Sequence, residues 1–262
     1  MTQNKPFFLK VNFLPVSSAV NFGIITATKS RTSFRLPPPT TLIGALSYPL
    51  AKLKNFPESS EDYMPKLLSS SLRGVYFRSG VSLLPYSTVT KMWFYKKNER
   101  ELKSDAFAYQ RLYVSGESDL SVIYLFDEDA ASRNLGHRWK EEVIAASFSM
   151  VRLGDKESLI SPTKVSYGVA EEICDKEFVT DYTVPLTQSG LKVESFDGGV
   201  VEIVEHYDWR KMSGPTSMGM PTIKVAFAYD GSVFTQKKLR VYSDRDICAY
   251  AIEENEIKLI EW

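Results

Sequence analysis

Residues 120–126 read LSVIYLF, a run in which Ser121 is the one residue with a small polar side chain. Short runs rich in β-branched and aromatic residues predict β-strands, and a run without polar alternation predicts a strand buried on both faces. We therefore expect this strand to lie near the centre of a sheet. The stretch KVNFL at residues 10–14 predicts another strand close to the N-terminus, over roughly residues 7–15.

Helices are predicted where apolar residues recur at three- and four-residue spacing. The first covers residues 40–53. Its apolar stripe consists of Leu42, Ile43, Leu46, Leu50 and Leu53. Pro49 should kink or split that helix, because proline lacks the N–H group that a helix interior needs. A second helix is expected over residues 60–72 with Ser60 as its N-cap, and a third over residues 138–150.

Over residues 1–170 the predicted order is strand, helix, helix, strand, excursion, strand, helix, strand. With the extra helix set aside, this is the βαββαβ order of a ferredoxin-like domain, an α+β fold whose sheet carries its helices on one face. Residues 171–262 are strand-rich and acidic, which predicts a small second β-domain or an extension of the sheet. The later strands are expected at residues 164–170, 200–204, 223–227, 248–252 and 257–262, the last two forming a hairpin.

The composition is that of an ordinary globular protein, with 44% hydrophobic and 24% charged residues in 262. No uncharged apolar run reaches the length of about 18 residues that a membrane span needs, and no signal peptide is recognisable. Cys174 and Cys248 lie far apart in the sequence and have no companions. We therefore expect a reduced, cytoplasmic protein without a metal site, a cofactor or a membrane partner.

The charge is distributed unevenly, although the net charge is zero. Residues 1–160 hold 21 Lys and Arg against 15 Asp and Glu, whereas residues 161–262 hold 11 against 17. The positive half could meet a phosphate backbone. A solvated surface without a partner would have the same composition, so charge alone leaves both interpretations open.

The segment KSRTSFRLPPPTTLIGAL at residues 29–46 contains the clearest candidate site. Its cations are Lys29, Arg31 and Arg35, its hydroxyls belong to Thr40 and Thr41, and Pro37, Pro38 and Pro39 rigidify the entry to the predicted helix. Cations and hydroxyls beside the free N–H groups of a helix start suit phosphate oxygens. Gly44, which has no Cβ, should let the helix approach the sheet or a partner backbone closely. An ordinary helix start with exposed bases is the alternative.

Three stretches of the sequence resemble one known family. RLPPPTTLIGAL at residues 35–46 resembles the N-terminal signature of the Cas-five family of CRISPR-associated proteins, a branch of the RAMP superfamily. QRLYVS at residues 110–115 and MVRLGDKESLIS at residues 150–161 are similar to two later stretches of the same family, in the same order. The sequence PPPTTLIGAL most resembles that of archaeal type I-A members, with type I-D and other variants as alternatives.

The resemblance implies a ferredoxin-like, RRM-related domain with a β-hairpin called the thumb, here about residues 82–118. It also implies a non-catalytic subunit of a type I Cascade effector in antiviral defence. Such a subunit binds the five-prime, repeat-derived handle of the guide crRNA, caps the repeated backbone subunits and contacts the large subunit. Arg111, Tyr113 and Arg152 fall in the matched stretches and are expected near the RNA or the thumb, with Gly154 as a structural residue.

The expected thumb is rich in both basic and aromatic residues. Lys91, Lys96, Lys97, Arg100 and Lys103 are interleaved with Trp93, Phe94 and Tyr95. Such a ribbon can neutralise phosphates and stack on bases, so we expect it to contact RNA or a neighbouring subunit. The alternative is a hairpin whose aromatics pack on the sheet and whose lysines protect its edges from aggregation.

Some members of the family cleave repeat RNA themselves, with Tyr, Lys and His. His137 and His206 are the two histidines here, and neither falls in a matched stretch, so we expect no catalysis. The acidic cluster Asp127, Glu128 and Asp129 is interpreted as a solvated turn after a strand. A metal-independent endoribonuclease and a protein-interaction scaffold without RNA contact are the alternative functions.

Overall fold

The computed structural model describes most of the chain. The described residues are 5–16, 19–20, 30–31, 33–57, 63–81, 83–114, 119–154, 157–211, 221–231, 235–254 and 256–262. For residues 19–20, 30–31, 83–92 and 105–114 the description covers the backbone alone.

The described elements are sixteen strands, four α-helices and one turn of 3-10 helix at Trp209–Lys211. The helices are α1 (Pro39–Leu53), α2 (Met64–Ser69), α3 (Glu128–Leu135) and α4 (Trp139–Phe148). The strands up to the third helix are β1 (Phe7–Pro15), β2 (Ala19–Val20), β3 (Ser30–Arg31), β4 (Leu72–Ser79), β5 (Leu83–Lys96), β6 (Glu101–Val114) and β7 (Leu120–Phe126). The later strands are β8 (Ile160–Val169), β9 (Glu171–Thr180), β10 (Val184–Pro185), β11 (Lys192–Ser195), β12 (Val200–Tyr207), β13 (Thr222–Tyr229), β14 (Gln236–Lys237), β15 (Leu239–Ile252) and β16 (Ile257–Ile260).

The first sheet has the strand order β4-β7-β1-β8, and all its neighbours pair antiparallel. Among the strands that build this sheet, β7 is third in the chain and lies between the second and the first. That is the strand order of a ferredoxin-like domain, and it confirms the predicted α+β fold. Every residue of β7 is buried, as its sequence predicts for an inner strand.

Both faces of this sheet are covered. Leu120, Val122, Tyr124 and Phe126 alternate along β7 and pack with the apolar stripe of α1 and with α2, α3 and α4. The opposite face of β7 carries Ile123 and Leu125, which pack with Tyr182 and with residues of the β15–β16 hairpin. The polar Ser121 also lies on that side, where its hydroxyl is 2.9 Å from the hydroxyl of Tyr182.

Helix α1 corresponds to the predicted helix but is not split at Pro49, because one continuous helix runs from Pro39 to Leu53. The side chains of Leu46 and Leu50, on either side of the proline, are fully buried. Their packing holds the last turns helical despite the missing N–H group. No helix in the described ranges is long and apolar enough to cross a membrane.

The bounds predicted for the second helix were wrong. Helix α2 starts at Met64 with Tyr63 as its N-cap, and Leu72 belongs to β4 rather than to a helix over residues 60–72. Pro65 explains the shorter helix, because proline is tolerated only in the first turn. Ser60, the predicted N-cap, lies outside the described residues.

The acidic cluster is not a solvated turn. Asp127 caps α3 by accepting a hydrogen bond from the Ala130 N–H, and Glu128 and Asp129 form the first turn of that helix. Asp127 also forms an ion pair with Arg73 at 3.0 Å. Burial alone would raise the pKa of Asp127, but the Ala130 N–H and Arg73 lower it below its usual value. The cluster therefore stabilises a helix start.

The thumb is the antiparallel hairpin β5–β6, whose register runs without interruption from Leu83↔Val114 to Lys96↔Glu101. Each strand has 14 residues, so the ribbon is about 45 Å long at about 3.3 Å per residue. All described side chains from residue 93 to residue 102 are exposed. The predicted projecting hairpin is confirmed.

The C-terminal third forms two further sheets, one built around β13 and one around the long strand β15. The β15–β16 hairpin, at the predicted position, packs across the face of the first sheet that the helices leave open. Its turn is fixed there, since Lys10 of β1 forms a 2.7 Å ion pair with Glu253. The predicted domain division at residue 170 falls between β8 and β9.

Candidate functional site

Three connecting segments leave the first sheet at the same end, and they form the candidate site. Phe13 near the end of β1 lies opposite Leu120 at the start of β7, and Ser79 at the end of β4 lies opposite the same residue. Pro15 is paired with Ile160 at the start of β8. The segment after β1, the thumb and the segment before β8 therefore all leave the sheet at this end, which we call the thumb edge.

At the thumb edge, the segment that leads into the first family-like stretch meets the second and third stretches. Strand β3 lies parallel to β6 with Arg31 opposite Tyr109, and β2 pairs with β6 so that Ala19 lies opposite Tyr113. The third stretch reaches the same edge at Arg152, whose backbone forms an isolated antiparallel β-bridge with Leu159. The Leu159 carbonyl in turn accepts a hydrogen bond from the Val16 N–H at 2.9 Å. Stretches far apart in the sequence thus share one end of the sheet.

Arg35 is held against the C-terminal part of the chain. Its guanidinium forms an ion pair with Glu202 of β12 and lies 4.8 Å from the ring centre of Tyr229 on β13. The neighbouring Phe34 packs edge-on against His206, with 4.6 Å between the ring centres. These contacts fix the approach to α1. Sequence reasoning missed this support, because it depends on how the C-terminal strands pack against this segment.

The proline turn enters α1 as the sequence predicts. Pro38 is the N-cap residue, and its carbonyl accepts hydrogen bonds from the N–H groups of Thr41 and Leu42 at 2.9 and 3.2 Å. Pro37, Pro38 and Pro39 are buried, whereas Thr40 and Thr41 are half-buried. Neither an Asp nor a Glu lies in the first turn of the helix, so the positive end of its dipole has no acidic neighbour there.

Gly44 does not serve the close approach to the sheet that we expected. A Cβ added at this position would meet no atom within 4 Å among the described residues. The glycine lies on a partly exposed stretch of α1, one turn before the exposed Tyr48. Because of this open space, a close contact between helix and sheet does not explain a glycine at position 44. Close approach by a partner backbone stays a prediction.

The thumb tip has two different faces. Tyr95 lies opposite Leu102, and Trp93 shares their face because alternate residues of a strand point the same way. All three are more than half exposed, at 60%, 64% and 61%. Phe94 lies opposite Lys103 on the other face, together with Lys96. The tip therefore presents an apolar face and a face that combines an aromatic ring with cations.

Cations surround the thumb turn. Lys96 and Lys103 both form ion pairs with Glu99, which lowers the pKa of that carboxyl through hydrogen bonds from Lys103 and then Lys96. Lys97 and Arg100 are exposed in the turn, where Arg100 has a positive φ of 49°. The two carboxylates of Glu99 and Glu101 against these four cations leave the tip with a net positive charge.

The remaining predicted residues are described to different extents. Lys29 lies outside the described residues, and Arg31, Lys91, Arg111 and Tyr113 are described by their backbone alone. Arg152 is exposed at the thumb edge. Gly154, two residues later, has a φ of +100°, a conformation that favours glycine.

The two histidines occupy different surroundings. His206 is 6% exposed, and burial lowers its pKa to about 4, so it is neutral at pH 7. His137 is exposed in the turn before Trp139. Trp139 packs on Phe7 and Phe126, which are paired with each other at the end of the sheet opposite the thumb edge. His137 is therefore separated from the thumb edge by the length of the sheet, about 20 Å.

Metal chemistry has no support in the described part of the chain. Within those residues, no group of three or more His, Cys, Asp and Glu side chains is arranged to hold an ion.

Comparisons with known proteins agree with the sequence resemblance. No family model matches the chain. A curated relative, CRISPR-associated protein Cas5 3 of Saccharolobus solfataricus, is 26% identical over 211 residues, which cover 75% of this chain and 80% of the relative. The crystal structure of a CRISPR protein from Archaeoglobus fulgidus shares the fold with a TM-score of 0.64 and 16% identity, covering 97% of this chain and 99% of that one. The chain is thus similar in sequence to a Cas5 (Cas-five) protein, in agreement with the three matching stretches, and it shares the fold of a CRISPR protein of known structure.

Proposed function

We propose that this Cas5-like chain is a non-catalytic subunit of a CRISPR effector complex of type I, and that it binds the five-prime, repeat-derived handle of the guide crRNA. In this role it caps the repeated backbone subunits and contacts the large subunit. The handle would run along the thumb edge, between the segment that enters α1 and the base of the thumb.

The convergence of three separate stretches at the thumb edge is the observation that carries the proposal. Arg31 and Arg152 belong to stretches more than 100 residues apart, yet the pairing of β3 with β6 and of β1 with β8 brings both stretches to one end of the sheet. Cations from several segments at one edge can follow consecutive phosphates of a single strand. All of these cations belong to the positive half of the chain.

Coverage of the sheet favours the edge over the sheet face as the RNA site. Isolated RRM-type sheets bind single-stranded RNA by stacking bases on aromatic residues of the open face. Here Phe8, Tyr76 and Ile123 of that face are buried beneath the β15–β16 hairpin. The Tyr76 hydroxyl donates a 2.9 Å hydrogen bond to the Ile260 carbonyl, which holds the hairpin down. A bound strand would have to displace a packed cluster, whereas the edge and the thumb need no rearrangement.

The thumb tip supplies what single-stranded RNA binding needs. Phe94, Lys96 and Lys103 combine a ring with cations on one face, and Trp93 and Tyr95 expose rings on the other. Base stacking on an aromatic ring contributes about 1–3 kcal/mol per base and tolerates any sequence. Because the exposed apolar side chains cannot be buried by a ribbon alone, contact with RNA or with a neighbouring subunit is the natural way to cover them.

The histidines favour a subunit that holds RNA without cleaving it. Metal-independent cleavage needs a base for the 2′-hydroxyl and an acid for the leaving oxygen. His206 lies close to Phe34 at the proposed site but is buried and, with its pKa near 4, cannot act as an acid at neutral pH. His137 lies toward the opposite end of the sheet. Holding the product of another nuclease needs cations alone.

Salt-dependent binding of a fluorescent handle RNA tests the proposal. Arg152→Ala should lower the slope of log K against log salt by about 0.7, the contribution of one phosphate contact to a single strand. Lys29→Ala and Arg31→Ala should do the same, each reducing the slope by a similar amount.

Arg133→Ala is the matched control, since Arg133 is another exposed arginine but lies on α3, which follows β7 away from the thumb edge. It should leave the slope unchanged. Slopes that are equal in the thumb-edge variants and in Arg133→Ala would remove the thumb edge from the RNA site.

A further inference from the structure

The only two cysteines of the sequence meet in the folded chain. Cys174 of β9 and Cys248 of β15 are 74 positions apart and lie directly opposite each other in the antiparallel ladder. Their sulfur atoms are 3.2 Å apart. The two cysteines are far apart in the sequence, and the pairing of β9 with β15 brings them together.

The backbone geometry at the pair is the one that a cross-strand disulfide needs. The Cys248 N–H donates to Gln188 Oε1 at 3.1 Å, and the Cys248 carbonyl accepts from Gln188 Nε2 at 2.9 Å and from the Glu261 N–H at 3.1 Å. Both peptide groups of Cys248 therefore point away from β9. The two cysteines form a non-hydrogen-bonded pair, for which the Cα atoms are about 4.5 Å apart. Disulfides bridge Cα atoms about 4.4–6.8 Å apart.

We propose that Cys174 and Cys248 form a reversible modification site, a dithiol that thiol–disulfide exchange with a small-molecule disulfide such as oxidised glutathione converts into an intramolecular disulfide. This inference is independent of the RNA-binding role. The oxidant is the glutathione disulfide, which is reduced by the two electrons that the protein dithiol loses.

Exposure assigns an order to the two sulfurs. Cys174 is exposed, whereas Cys248 is partly covered. The pKa of the Cys248 thiol is raised to about 11, first by its hydrogen bond with Cys174 and then by burial. The Cys174 thiolate therefore attacks one sulfur of glutathione disulfide, forming a mixed disulfide and expelling a glutathione thiolate that takes up a proton. Cys248 then gives its proton to solvent and attacks the Cys174 sulfur, which releases the second glutathione.

The position of the bridge gives it a mechanical effect. The β9–β15 register shifts between Tyr242 and Ile247, so the ladder is interrupted immediately before the cysteine pair. A bond at this point would fasten the two strands where their hydrogen-bonded pairing resumes. Strand β15 continues into the hairpin that covers the first sheet, so the bridge would tie that covering layer to β9.

Trapping the thiols in defined glutathione buffers tests the proposal. The intact protein is equilibrated at reducing and oxidising ratios, quenched with acid, treated with N-ethylmaleimide and weighed by mass spectrometry. At oxidising ratios we expect a monomer that has lost the mass of two hydrogen atoms and takes up no maleimide, with a peptide map joining Cys174 to Cys248. The oxidised form should have a urea midpoint higher by about 1 M.

Cys174→Ser and Cys248→Ser are the matched controls, and neither should show the mass loss or the higher midpoint. Wild-type protein that still takes up two maleimides at oxidising ratios would overturn the proposal. So would glutathione adducts or disulfide-linked dimers as the main oxidised product, because either would show that the two sulfurs do not reach each other.

Discussion

Arg35 and Glu202 form an ion pair that joins the segment entering α1 to the acidic C-terminal part of the chain, and the Arg35 guanidinium also lies over the ring of Tyr229. Arg35 comes from the half with excess positive charge and Glu202 from the half with excess negative charge. The opposite charges of the two halves of the sequence thus form at least one ion pair within the folded chain. Under the proposed function, a phosphate that binds Arg35 would compete with this carboxylate, so Glu202 should lower the affinity for RNA.

Replacing Glu202 tests that competition. Glu202→Gln keeps the size of the side chain and removes its charge, so Arg35 should become more available to phosphate. We expect handle affinity to rise by at most about fivefold, because a partly exposed ion pair contributes about 0.2–1 kcal/mol. Fluorescence anisotropy at fixed low salt measures the change.

The double variant Arg35→Ala, Glu202→Gln serves as the control. With Arg35 absent, Glu202→Gln should have no further effect on affinity. A loss of affinity in Glu202→Gln alone would show that the ion pair positions the segment and does not compete with RNA.

The aromatic thumb tip should contribute to RNA affinity without contributing to stability. Trp93→Ala is expected to weaken handle binding by about fivefold or more, as one lost base stack predicts. Since Trp93 is 61% exposed, the urea midpoint should stay close to that of the wild type. Phe196→Ala removes a similarly exposed ring outside the thumb and should leave binding unchanged. Equal affinities for the Trp93 and Phe196 variants would exclude stacking at the tip.

His206 should make the fold sensitive to mild acid. Burial lowers its pKa from 6.5 to about 4, so between these values the unfolded chain binds a proton that the folded chain does not. Stability should therefore be complete above pH 6.5 and fall as the pH drops toward 4, by at most about 3 kcal/mol. Urea unfolding at pH 7 and pH 5 measures this loss.

His206→Phe keeps a ring against Phe34 and removes the titration. The variant should lose less stability than the wild type between pH 7 and pH 5. An identical loss in both proteins would assign the acid sensitivity to carboxylates elsewhere.

The protein should not cleave repeat RNA. Incubation with cognate repeat RNA in EDTA at neutral pH is expected to leave the RNA intact, because the buried His206 cannot protonate a leaving oxygen. A single specific cut that disappears in His137→Ala or His206→Ala would contradict this expectation. Cleavage that survives both substitutions would indicate a contaminating nuclease.

The regular elements could be predicted from the sequence because their patterns are local. The run LSVIYLF identified β7 as an inner strand, and its position between β4 and β1 follows from the βαββαβ order. The two wrong predictions about helices each concerned the effect of a proline. Pro49 was expected to split α1 but is held by buried neighbours, and the helix expected over residues 60–72 begins only at Met64 because of Pro65.

Contacts between distant segments could not be predicted. Nothing local in the sequence shows that Arg35 meets Glu202 or that Cys174 meets Cys248, since both contacts depend on how the C-terminal sheets pack. The stretches that form the thumb edge were recognised through family resemblance, and the sheet register is what brings them together.

Site-specific photo-crosslinking tests whether the five-prime handle lies along the thumb edge. Guide RNA that carries 4-thiouridine within the five-prime handle is bound to the protein, irradiated and digested, and the crosslinked peptides are identified by mass spectrometry. We predict crosslinks in peptides from residues 29–41, from the thumb and from residues 150–159. Handle crosslinks confined to α3 and the C-terminal sheets, or crosslinks obtained only when the photoreactive base lies in the spacer, would contradict it.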